Sequence, residues 1–138
     1  MRLEEQVISL ELSKKLKELG VPQDGFYIWW KPKEREREFE LSPKKQQIYW
    51  KNTDNEFIEW CSAYTVAELG EMLPDHLLDD NEDWPYTLRL EKGDNEWLVY
   101  YSEIDRGLIG ETIHHLGSLA DAMAHMLIYL LENNLIEV

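Results

Sequence analysis

The chain has 138 residues, with 28 Asp and Glu against 14 Lys and Arg and a formal net charge of −14 at pH 7. That length fits one domain, residues 1–138, able to bury a core without staples, and the single cysteine, Cys61, excludes an internal disulfide framework. No apolar run approaches the ~20 residues that cross a bilayer, and residues 1–6 lack the basic-then-apolar pattern of a signal peptide, so the expected setting is soluble, reducing and cytoplasmic.

Ser9 opens a first helix in which Leu12, Leu16 and Leu19 share a face, and Gly20 followed by Pro22 ends it. Residues 2–8 stay open between helix and coil, because Leu3, Val7 and Leu10 fall on the opposite side of that wheel. Residues 26–30, aromatic and bounded by Gly25 and Pro32, predict a strand. In residues 33–41 a helix would set Glu34 against Glu38 and Lys33 against Arg37, whereas a strand sends cations one way and acids the other. The run is therefore read as extended, its cationic side continued by Phe39 and Leu41 and turning inward near Ser42 and Pro43. Residues 47–51 and 56–60 predict two more strands across the turn-forming cluster 52–55.

Thr65, Val66, Ala67 and Glu68 form a capping-box pattern that opens a short helix, stopped by Pro74. After an acidic loop, residues 86–90 and 96–101 alternate as strands around 92–95, a hairpin signal, and Gly107 and Gly110 then loosen the chain. The last helix, residues 119–132, is capped by Ser118, carries Asp121 in its first turn and leaves through Asn133 and Asn134. Its apolar residues cover an arc of roughly 200°, with Asp121, His125 and Glu132 as a thin polar strip, so it must be buried on most sides. The order of elements predicts an α+β fold: one antiparallel sheet of four to five strands with the helices packed on one face.

Charge is divided along the chain. Residues 1–51 hold 11 Lys and Arg against 9 acids, and residues 52–138 hold 3 against 19. A field of that sign repels nucleic acid and favours basic partners.

Residues 63–74 and 119–133 resemble segments of small uncharacterised proteins carried by bacterial phages and prophages, and residues 9–20 are similar to their amino-terminal part. The resemblance lies in helices and includes no catalytic motif; it implies a mobile-element origin and no particular activity.

Three constellations are candidates for a site. His114, His115, Asp121 and His125 lie close in sequence, and at 1.5 Å per residue along the helix His114 and His115 meet Asp121 more easily than His125. A closed zinc site needs four tight ligands, so the expectation is a solvated histidine pair and no bound metal or cofactor. The acidic stretch from Asp75 through Asp79, Asp80, Glu82, Asp83 and Trp84 offers alternating oxygen ligands, but Trp84 stands where a calcium loop needs glycine and Leu90 where it needs glutamate. It reads as a solvated acidic binding loop. Trp29, Trp30 and Trp50 interleave with Lys31, Lys33, Arg35, Arg37, Lys44, Lys45, Tyr49 and Lys51 as a single-strand nucleic-acid platform would, yet Glu34, Glu36, Glu38 and Glu40 largely neutralise it.

No phosphate-cradling glycine loop, HExxH or G-x-S-x-G motif is present, and Cys61 has no partner nearby in sequence, so no catalytic residue is assigned. The expected function is protein–protein interaction, the acidic surface of residues 54–111 docking a basic host or phage protein, in the manner of a nucleic-acid mimic. Single-stranded nucleic-acid binding through the tryptophans and non-catalytic metal binding are the alternatives.

Overall fold

The computed structural model describes residues 2–32, 38–44, 57–77, 86–103, 107–115 and 117–137. Its elements run α1 (Leu3–Gln6), α2 (Leu10–Glu18), β1 (Tyr27–Pro32), β2 (Glu40–Pro43), β3 (Phe57–Ser62), α3 (Val66–Met72), β4 (His76–Leu77), β5 (Tyr86–Lys92), β6 (Trp97–Glu103), β7 (Gly107–His115) and α4 (Leu119–Glu132). The class is α+β, as the order of apolar patterns required.

The strands make two antiparallel sheets, a three-stranded one in the order β2-β1-β3 and a four-stranded one in the order β4-β5-β6-β7. The expected single sheet is thereby corrected. The reason lies in α4, where Ala120, Ala122, Met123, Ala124, Met126, Leu127 and Leu130 are all buried. One sheet covers only one side of such a helix; β6 and β7 take that side, while α1, α2 and α3 contact others. With those helices in place, the aromatic strands near the amino terminus pair among themselves and meet the helical layer through α2 against β3.

Local signals explain the elements. Thr65 caps α3 with the reciprocal Glu68 bonds, Gly20 leaves α2 at φ 87°, and Asn134 leaves α4 at φ 56° while the Leu135 N–H reaches the Leu130 carbonyl at 2.9 Å. The hairpin between β5 and β6 closes with the Gly93 N–H on the Glu96 carbonyl at 2.9 Å and Asn95 at φ 58°. Pro43 is tolerated because β2 is an edge strand, and Pro32 sits where the β1–β3 register shifts.

One reading changes. Residues 107–115, expected to be loose because of their glycines, form β7: Leu108, Ile109 and Ile113 are paired with β6, and the segment containing Gly110 lies at a register shift in that pairing. Of the extended run 33–41, residues 33–37 lie outside the described residues, and β2 begins only at Glu40. The expected strand 47–51 and turn 52–55 also lie outside them.

The open segment 2–8 resolves into α1 and an extended strap. Val7 bridges Thr65, the Ile8 N–H donates to the Tyr64 carbonyl at 3.0 Å, and Val7 and Ile8 are buried. The strap carries the amino terminus across the start of α3 and towards the start of α4.

Candidate interaction groove

Beside the strap lies an open groove of about 800 Å³. Its walls come from four separate parts of the chain: α1 with Glu4 and Glu5, the first turn of α3 with Val66, the start of α4 with Leu119 and Asp121, and Trp97 at the head of β6. Among the described residues that line it there is no lysine, arginine or histidine. The volume is within the range of ligand-sized clefts.

Asp121 is the best-anchored acid of this groove. Its backbone N–H is received by the Ser118 hydroxyl at 3.1 Å, which is the cap of α4, and its carboxylate Oδ1 accepts the Ser9 N–H at 2.8 Å. The other oxygen, Oδ2, is 3.9 Å from Nε2 of His115. His115 in turn accepts the Gly117 N–H at Nδ1, 2.9 Å away, so its ring nitrogen nearer Asp121 is the one free to carry a proton. The His115 and His125 rings are 5.3 Å apart between centroids and tilted by 34°. Burial, reinforced by His115 and opposed by Asp121, pushes the His125 imidazole below its ordinary range.

On the other wall Glu5 accepts the Arg2 backbone N–H at 3.0 Å and pairs with its guanidinium at 3.6 Å. That backbone hydrogen bond, with the Arg2 charge behind it, holds the Glu5 carboxyl below the usual carboxylate range. Trp97 is half-buried and receives the Lys92 ammonium over its ring, 5.7 Å from the centroid.

The histidine cluster assembles differently from expectation. His115 meets His125 as well as Asp121, because β7 runs alongside α4 and brings His115 over the helix face shared by residues 121 and 125. His114 pairs with Leu98 in the β6–β7 ladder, and its side chain lies outside the described ones. Among the described residues, no group of three or more His, Cys, Asp or Glu side chains is placed to hold a metal ion.

Of the acidic loop, Asp75 is exposed and its carbonyl accepts the Leu88 N–H at 3.0 Å, whereas Asp79, Asp80, Glu82, Asp83 and Trp84 lie outside the described residues. Of the aromatic platform, Trp30 is buried at 8% exposure, and Trp29 is half-buried with its indole N–H on the Ile8 carbonyl at 3.0 Å. Trp50 lies outside the described residues, as do Lys33, Arg35, Arg37, Lys45, Tyr49 and Lys51. Trp60, in β3, has ammonium groups of Lys17 and Lys44 over its ring at 5.1 and 5.9 Å, contacts that compete with base stacking there. Cys61 is buried at 2% exposure, and no described helix is long and apolar enough to cross a membrane.

Sequence reasoning missed Glu4, Glu5 and Trp97 as neighbours of Asp121, and no local signal marks them. Residues 4, 66, 97 and 121 share no motif; the strap and the β6 ladder bring them together. No family model, curated protein or solved structure matches this chain.

Proposed function

We propose that this chain is a small, non-catalytic acidic protein of the kind carried by phages and prophages, and that it acts by docking a basic protein partner on its acidic surface. The observation that carries the reading is how the two signs of charge are used. Among the described residues, four lysines of the amino-terminal half are engaged within the molecule: Lys14 lies over Phe39 at 4.5 Å, Lys15 pairs with Glu132 at 3.1 Å, and Lys17 and Lys44 flank Trp60. Among the described residues, Glu4, Glu18, Glu71, Asp75, Glu91 and Asp94 are exposed to solvent. With 19 acids against 3 cations, residues 52–138 hold few basic side chains of their own to balance the acids, and a basic partner supplies the missing sign.

Single-stranded nucleic acid on the tryptophans has less support, since Trp30 is buried and Trp29 spends its N–H on Ile8. The test is capture of partners by the tagged chain from nuclease-treated lysate over a salt series. The expected result is one or more Lys- and Arg-rich proteins released as the screening length shortens towards about 8 Å at physiological ionic strength. Partners retained only before nuclease treatment, or none sensitive to salt, overturn the proposal.

A further inference from the structure

We infer that the groove between α1, α3, α4 and Trp97 receives a lysine- or arginine-bearing extended segment of the partner protein, with the cationic head group between Glu4, Glu5 and Asp121 and its methylene stem against Trp97. The inference rests on the proposed function and names the site and the chemistry of its occupant.

The charge of the walls selects the sign of the occupant. Among the described residues that line the groove are three carboxylates and no cation. At the two helix starts that open into it, side chains already occupy part of the donor set: the Glu68 N–H at the head of α3 is taken by the Thr65 hydroxyl, and the Thr65 N–H by the Glu68 carboxylate. At the head of α4 the Asp121 N–H is taken by Ser118, and the Asp121 carboxylate balances the helix dipole. An anion would meet three like charges; a cation meets the carboxylate of Glu4, exchanges with Arg2 at Glu5, and is drawn by the charge of Asp121, which the Ser9 N–H holds in place.

The apolar part of the groove selects a long-stemmed cation over a bare ion. Val66 and Leu119 supply a surface for methylene groups, as lysine and arginine stems require. Trp97 supplies a ring with Lys92 of this same chain 5.7 Å from its centroid, so the incoming stem packs on the part of the indole that lines the groove or displaces that exposed lysine. A cavity of about 800 Å³ exceeds one side chain, so a short peptide segment rather than a single group fills it. Arg2 is no barrier, because its pairing with Glu5 is solvent-exposed and readily exchanged for an incoming guanidinium.

The test titrates the full chain at low salt with oligolysine and with oligoglutamate, following tryptophan emission and heat of binding. Wild-type protein is compared with the pair Glu4→Gln/Glu5→Gln, with Trp97→Leu, and with the control pair Glu71→Gln/Asp94→Asn, which removes the same net charge outside the groove. The expected result is oligolysine binding that weakens about tenfold in the groove pair and in Trp97→Leu but much less in the control. Equal losses in the two charge pairs, or none in either, overturn the groove as the site while leaving an acidic binding protein standing. Absence of oligolysine binding to the wild type overturns the proposed function together with this inference, and equal affinity for oligoglutamate overturns the assignment of a cationic occupant. Should Trp97→Leu fail to fold, the Glu4/Glu5 pair decides, since both residues are exposed and outside the core.

Discussion

The Ser9 backbone N–H donates to the Asp121 carboxylate at 2.8 Å across 112 residues of sequence. Asp121 belongs to the first turn of α4 and Ser9 is the N-cap of α2, so a single carboxylate ties the beginnings of two helices together. The Ser9 side chain makes no capping bond to its own helix, which leaves this contact as the anchor of the segment entering α2. Replacing Asp121 by Ala removes a charge-assisted bond in a partly buried setting and is expected to cost about 1.5–3 kcal/mol, with Asp121→Asn costing less because an amide oxygen still accepts. Urea unfolding of both variants checks the order. An unchanged midpoint for Asp121→Ala would show the contact to be dispensable.

Acid destabilises the cluster next to this anchor. The folded-state pKa of His125 lies below its unfolded value, so the unfolded chain takes up the proton first and stability falls as pH drops from about 6.5 through the folded pKa. Thermal unfolding between pH 7.5 and 5 should show a declining midpoint in the wild type and a shallower decline in His125→Gln.

Gly117 is held at close range by the same imidazole. A Cβ there would stand 2.8 Å from Cε1 of His115, so Gly117→Ala forces the ring aside and breaks the bond from its own N–H. A loss of roughly 1–3 kcal/mol is expected, together with a displaced His115 ring resonance in the NMR spectrum. A native-like ring position in that variant would contradict the arrangement described.

Trp29 acts as a fastener for the strap. Trp29→Phe keeps most of the ring but leaves the Ile8 carbonyl without the indole N–H, an expected cost of about 1 kcal/mol. Hydrogen exchange should then report faster opening at Ile8, whose own N–H on Tyr64 depends on the same segment.

Cys61 offers a clean probe of global opening. Buried at 2% exposure in β3, its thiol should react with an aromatic disulfide reagent only as the chain unfolds, with a rate that rises steeply in urea. Fast labelling of the native protein would place β3 nearer solvent than found here.

The core of α4 sets the largest effects. Leu127 and Leu130, at 1% and 0% exposure, are each expected to cost 2–5 kcal/mol when cut to Ala, roughly the range for cavity formation in a packed interior. Calorimetric unfolding measures it directly.

Short-range physics settled much of this molecule from the sequence alone. The cap at Thr65, the left-handed exits at Gly20 and Asn134, the hairpin around Gly93 and Asn95, and the burial of α4 are each decided within a few residues, because caps and turns satisfy backbone groups locally and helical periodicity exposes one face. The division of charge was legible for the same reason: it is a count along the chain. What only the tertiary structure decided was pairing at a distance. Gly107 and Gly110 read as breakers until β6 supplied a ladder, the strands separated into two sheets because a helix apolar over so wide an arc needs cover from helices as well as strands, and Glu4, Val66, Trp97 and Asp121 became one groove only when the strap crossed from α1 to α4. Hydrogen bonds and buried area between residues a hundred positions apart leave no periodic trace in sequence, since each partner's local preference is the same whether or not the other arrives.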